Sequence, residues 1–166
     1  KIKPDFVKAW SNRGVVLKDL GRYEEALASD EQALKIDRGY AEAWSNRGNT
    51  LRHLKRYDEA IESYDKTLAL RPDYSEAWSN RGVALHDLKR YEEALASYGQ
   101  AVKITPDYTE AWSNRGITLS DLKRYDEALA DYARAQAINP DYAHAHWNES
   151  LARLVLGQYE IGWQKY

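Results

Sequence analysis

Asparagine stands at Asn12, Asn46, Asn80, Asn114 and Asn148, each 34 residues from the last. A carboxamide carries a donor and an acceptor together. It pairs with the N–H and the C=O of an extended peptide whatever that peptide's side chains, so a row of amides is chemistry for holding a backbone. A structural use is open beside it, in which each amide bridges to a neighbouring helix. Asparagine is a mediocre helix former, so a place within a helix needs a reason of one kind or the other. Arginine keeps the same period at Arg13, Arg47, Arg81 and Arg115. Its stem covers apolar surface while the guanidinium pairs with an acid or a carbonyl, or else it reaches a ligand; its place beside an apolar stripe favours the structural use. Other reactive groups form no constellation. His53, His86, His144 and His146 repeat in no register, and His53, His86 and Asp87 match no metal spacing. The serines that precede the asparagines have no partnered base. Paired acids such as Glu92-Glu93 open a helix, where the dipole favours them. Neither catalysis, nor a metal, nor a cofactor is expected.

The elements that position these residues follow from the period. Trp-Ser-Asn-Arg-Gly recurs at 10–14, 44–48, 78–82 and 112–116, always 34 residues apart. A unit that short cannot bury its own apolar face and must stack on its neighbours, which gives a solenoid with an extended surface. In the third unit Ala77, Trp78, Gly82, Leu85 and Leu88 share one helical face. After a break at Lys89-Arg90, a second run carries Tyr91, Ala94, Leu95, Tyr98, Ala101, Val102 and Ile104. Pro106-Asp107-Tyr108 closes the unit, because proline disfavours helix at the residue before it. Asp73 and Asp107 precede Glu76 and Glu110 at the spacing of a capping box. The expected helices A lie near 8–20, 42–54, 76–88, 110–122 and 144–156, and helices B near 24–36, 58–70, 92–104 and 126–138.

Trp78, Gly82, Tyr91, Ala94, Tyr98, Ala101 and Pro106 resemble the tetratricopeptide repeat pattern, and the likeness covers nearly the whole chain. The resemblance implies an all-α, right-handed superhelical solenoid of helix-turn-helix repeats: a tail at 1–6, full repeats at 7–40, 41–74, 75–108 and 109–142, and a partial degenerate repeat at 143–166. Arginine replaces the usual leucine before the glycine, and Arg38-Gly39 replaces Pro-Asp at the first junction, which is expected to be looser. Tyr57, Tyr91 and Tyr125, with Tyr64, Tyr98 and Tyr132, fall at the family's core positions and are packing residues.

Family resemblance also implies that helices A line the concave face. The stripe opposite the packing stripe is then the groove floor, at i, i+4, i+7, i+11 spacing. It reads Lys8, Asn12, Val15 and Asp19; Glu42, Asn46, Asn49 and His53; Glu76, Asn80, Val83 and Asp87; and Glu110, Asn114, Ile117 and Asp121. The asparagine ladder resembles that of the repeat domain of O-linked N-acetylglucosamine transferases. A carboxylate clamp is not expected, because Ser11, Ser45, Ser79 and Ser113, with Glu42, Glu76 and Glu110, hold its positions.

The last unit departs from the pattern. His146 takes the tryptophan position, Ser150 the glycine, Arg153 the leucine, and Gly162-Trp163 the Ala-Leu. Terminal repeats are often atypical because they cap the stack. This stretch resembles the end of the repeat array in bacterial proteins where a glycosyltransferase-like domain follows. Pro4-Asp5-Phe6 reads as the tail of an upstream repeat, Tyr159–Tyr166 as half of a helix B, and the absence of methionine as the mark of a cut or processed chain.

A net charge of −2 and a pI near 6.1 argue against nucleic acid. No apolar run approaches the roughly 20 residues of a membrane span. Zero cysteine removes thiol chemistry. A cytoplasmic, non-catalytic scaffold is expected, binding a protein or an extended peptide in its groove. Self-association through exposed repeat ends, or service as the substrate-presenting arm of a glycosyltransferase, are the alternatives.

Overall fold

Ten α-helices, and no strand, make up the described part of the computed structural model, which covers the backbone of residues 4–165 and the side chains of residues 6–164. The chain divides into two compact units, residues 1–88 and 89–166. The first holds α1 (Pro4–Asp19), α2 (Tyr23–Ile36), α3 (Ala41–His53), α4 (Tyr57–Leu70) and α5 (Ser75–Asp87). The second holds α6 (Tyr91–Ile104), α7 (Thr109–Asp121), α8 (Tyr125–Ile138), α9 (Ala143–Val155) and α10 (Tyr159–Lys165).

Odd-numbered helices are A and even-numbered ones B. In the first unit α1 packs on α2, α3 on α4, and α1, α3 and α5 pack side by side. In the second, α7 packs on α8, α9 on α10, and α7 on α9. Successive B helices within a unit do not pack on one another.

Two starts differ from expectation. Pro4-Asp5-Phe6 is the opening of α1, so that helix starts ahead of the expected 8. Proline suits a first helical turn, where its missing N–H has no partner to lose. Lys1–Lys3 lie outside the described residues. The capping boxes do not form either: the N-caps of α5 and α7 are Tyr74 and Tyr108, with no side-chain cap bond. Each aspartate stands one residue too early to reach the first turn.

The A-to-B turn has one construction. Lys55 N–H donates to Arg52 O and Arg56 N–H to Leu51 O, both at 2.9 Å, which closes α3 as a Schellman motif. The motif needs a left-handed residue at its centre. Gly21 supplies it after α1 with φ 73, but Lys55 and Lys123 take it with φ 58 and 60. The arginine that follows opens helix B. Arg56 grips Glu59 with two bonds of 2.6 Å, and Arg22, Arg90 and Arg124 hold Glu25, Glu93 and Glu127 in the same way. These pairs hold the Glu25, Glu59 and Glu127 carboxyls below their usual range. The Lys-Arg dipeptides are therefore turn and start signals as well as a solvated rim.

The invariant glycine has a steric cause. A Cβ on Gly48 would come within 2.6 Å of the Tyr64 ring, and one on Gly116 within 2.6 Å of the Tyr132 ring. Both rings are almost fully buried. The first repeat breaks this pairing, because Asp30 stands where the second has Tyr64. Asp30 is fully buried; Thr50 Oγ1 donates to its Oδ2 at 3.2 Å, and its Oδ1 has no hydrogen bond among the described residues. Burial pushes its carboxyl up to about 7, against the opposing pull of Thr50, Arg47 and Lys18.

Candidate peptide-binding site

The tryptophans fix each A helix to the turn before it. The Trp44, Trp78 and Trp112 indoles donate to the carbonyls of Arg38, Pro72 and Pro106 at 2.9, 2.9 and 3.0 Å. His146 keeps the same contact to Pro140 O at 2.7 Å, so the histidine replaces the tryptophan in kind. With that anchor set, the residue two places on is carried to the side of the helix away from the tryptophan.

The arginines turn toward the B helices. Arg13 donates to Ser29 at 2.5 Å, Arg47 to Ser63 at 2.7 Å, and Arg115 grips Asp131 with bonds of 2.7 and 2.6 Å. Arg81 reaches back to Asp65 at 2.7 Å. Arg47 spans two B helices, with Glu31 of α2 at 3.8 Å and Glu59 of α4 at 4.0 Å. Each guanidinium also lies within 6.0 Å of its own repeat's tryptophan ring centroid. In the last repeat the sign flips: buried Glu149 holds the arginine's place, paired with Arg153 at 2.7 Å and bonded by Gln136 at 2.6 Å.

The asparagines behave differently. Asn12 is exposed, and Asn46, Asn80, Asn114 and Asn148 are half-buried. The amides of Asn12, Asn80, Asn114 and Asn148 make no hydrogen bond among the described residues. Asn46 takes up the structural use in part, since its Nδ2 donates to Ser11 Oγ of α1 at 2.9 Å. Its Oδ1 and second N–H stay unbonded among the described residues.

The rest of the stripe divides. Within the first unit, Glu76, Val83 and Asp87 stand on α5 beside Asn80, with Glu76 and Asp87 exposed and Val83 half-buried. Glu42 is taken up by an ion pair with Arg71. Asn49 is also engaged, accepting from the buried Tyr64 hydroxyl at 2.8 Å, a tether that spacing gives no sign of. His53 stacks on Tyr23 at 4.9 Å, and burial lowers its imidazole pKa, with Arg52 and Lys18 adding to the effect. In the second unit, Glu110 and Asp121 are exposed, while Ile117 packs against the core built on Leu119 and Tyr132. Among the described residues no helix is long and apolar enough to cross a membrane, and no three metal-binding side chains converge.

Paired antiparallel helices, an alanine-lined core and a glycine under an aromatic ring define a helical-repeat protein. The match is specific: residues 39–107 and 109–142 fit family models described as tetratricopeptide repeat, and residues 16–53 one described as TPR repeat. The chain belongs to the tetratricopeptide repeat family. Among curated protein sequences none matches it. Solved structures share its fold. PilF from Pseudomonas aeruginosa superposes with a TM-score of 0.89 at 22% identity, over 98% of this chain and 74% of that one. YrrB, described as a TPR protein with an unusual peptide-binding site, gives 0.74 at 26% identity, over 94% and 80%. The first TPR domain of Spaghetti (RPAP3), solved with the HSP90 peptide SRMEEVD, gives 0.69 at 29% identity, over 70% and 93%.

Proposed function

We propose that this chain is a non-catalytic interaction scaffold whose A helices hold an extended peptide by its backbone. The observation that carries the reading is the state of Asn80 and Asn114. Both are half-buried side chains at one position of successive repeats, and neither amide has a partner among the described residues. Neither amide is a buried orphan, so both are open to solvent, and a ligand that supplies a donor and an acceptor together can take the place of water there. The solved structures support the general role, since YrrB is described as having a peptide-binding site and RPAP3 is seen with a peptide. The likeness of the ladder to that of O-linked N-acetylglucosamine transferases belongs with this reading, because it rests on the same Trp-Ser-Asn strings. An arm presenting substrate to a glycosyltransferase-like domain is the same groove put to a particular use.

The test is a library of unrelated extended peptides measured against the wild-type chain and against Asn46, Asn80 and Asn114 changed together to alanine. Uniform weakening across the library supports a backbone-reading groove. Unchanged affinity in the variant overturns it.

Self-association is a second reading with its own observation. Phe6, Val16 and Leu20 on and after α1, and Val155, Tyr159 and Trp163 near the other end, are all more than a third exposed. Two exposed apolar surfaces on different helices suit heterologous contact between copies. Sedimentation velocity over a concentration series tests it, and a monomer at every concentration would remove it.

A further inference from the structure

A cleft of about 630 Å³ opens in the first unit between α2 and α4. It lies among the B helices, away from the asparagines. Its cause is the packing of the unit: α3 packs on both α1 and α5, whereas α2 and α4 do not pack on one another. The floor is apolar, formed by Leu34, Leu70 and the half-buried Trp44 ring. Leu70 is 44% exposed and leaves the floor open to solvent.

The rim is cationic. Lys35 comes from α2, Arg38 from the α2–α3 turn and Lys66 from α4. None of the three has an ion pair among the described residues. Of the two acids on the cleft, Glu31 lies 3.8 Å from Arg47, whose guanidinium also takes Ser63. Glu62 stands one turn from Lys66 without pairing with it. Arg38 is the telling residue, because the matching turns carry Pro72, Pro106 and Pro140. The turn keeps its backbone construction all the same. Trp44 donates to Arg38 O at 2.9 Å as Trp78 does to Pro72 O, and the Asp37 carboxylate accepts from Gly39 N–H at 2.8 Å. The arginine side chain is thus an addition to a turn that forms without it, placed beside two unpaired lysines over an exposed apolar floor.

We propose that this cleft is a second docking site, which takes a short acidic peptide bearing a bulky apolar side chain. The apolar side chain covers Leu34, Leu70 and Trp44. Carboxylates on either side meet Lys35, Arg38 and Lys66. The three cations come from three separate elements, so they suit charges spread along a chain better than one compact anionic headgroup. This occupant is independent of the asparagine stripe, and either site functions without the other.

The probe is a synthetic peptide with a Leu-Phe pair between runs of Asp and Glu, measured against the full chain by fluorescence anisotropy. Two control peptides carry Lys for the acids, or Ala for the Leu-Phe pair. The site predicts tighter binding of the first peptide than of either control, and that excess weakens as salt is raised. Reversing the rim with Lys35→Glu, Arg38→Glu and Lys66→Glu should weaken it by more than about tenfold. Arg38→Pro, which restores the residue of the other turns, should weaken it by a smaller factor. Changing Asn46, Asn80 and Asn114 to alanine should leave the excess of the first peptide over the controls unchanged. On the wild-type chain the Trp44 indole N–H resonance should shift on titration, which reads the site without any variant. Equal binding of all three peptides, binding unmoved by the rim reversals, or loss with the asparagine variant instead, each overturns the second site. The last outcome would move the acidic peptide to the A-helix stripe.

Discussion

Two ladders run along the same helices one residue apart, and they end in opposite states. Arg13, Arg47 and Arg115 are each closed by a helix-B group sixteen residues on, a serine or an aspartate. The asparagine beside each has no helix-B partner among the described residues, and of the five only Asn46 is bonded there, to Ser11 of the neighbouring A helix. Both ladders keep one period in the sequence. Repetition therefore shows that a residue type is wanted at a place, and the presence of an internal partner separates holding the array together from meeting something outside it.

The largest effect that sharpens this contrast belongs to the fourth repeat. Arg115→Ala leaves the Asp131 carboxylate, whose side chain is 6% exposed, without its bidentate partner. Breaking such a pair should lower stability by about 2–4 kcal/mol, the upper range being reduced because Arg115 itself is partly open to water. Arg13→Ala, which removes a bond to a neutral serine, should cost about 1 kcal/mol. Chemical denaturation checks both, and peptide affinity should move in neither.

Asp30 adds a pH condition to the comparison. Gly14, next to Arg13, faces this buried carboxyl, and its folded pKa is pushed up to about 7. The folded state then holds a proton that the unfolded chain has already released at ordinary carboxyl values near 4. Stability associated with Asp30 is fully present below that lower value and is lost as pH rises to about 7. The loss should be on the order of 3–4 kcal/mol between pH 4 and 8. Asp30→Asn should flatten that slope and melt higher than the wild type at pH 8. A wild-type midpoint that rises across the window, with all other carboxyls accounted for by the variant, would contradict the buried placement.

The smallest effect concerns the turns. Lys55 holds a left-handed conformation with φ 58, where the first repeat has Gly21. Lys55→Gly should stabilise the fold by about 0.5–1 kcal/mol, seen as a small rise in melting temperature with peptide binding unchanged.

Much of the fold is legible in the residues. The Trp-Ser-Asn-Arg-Gly strings and the tyrosine register set the helix pairs, and α3 to α9 fall within one or two residues of the spans their periodicity gives. What the strings do not carry is departure from the repeat. Asp30 lies in the register of Tyr64, yet a lone aspartate in a polar helix reads as a surface residue until a glycine is seen to face it. The capping boxes fail for a related reason, since local spacing does not say that tyrosine occupies the cap. The stripe is legible as a face of the A helices, but its division is not. Asn49, Glu42 and Ile117 are drawn away by Tyr64, Arg71 and the core, and each of these is a tertiary contact between elements.

The central claim is that the asparagine ladder serves a ligand and the arginine ladder serves the fold. It is tested most directly by one paired measurement on the chain with Asn46, Asn80 and Asn114 changed together to alanine: the melting temperature and the affinity for an extended peptide. Each two-bond backbone contact contributes about 0.5–1.5 kcal/mol net, so three lost together should reduce affinity by at least about tenfold. The melting temperature should fall only slightly, by the single bond from Asn46 to Ser11. A large drop in melting temperature with peptide affinity retained would contradict the account and make both ladders structural.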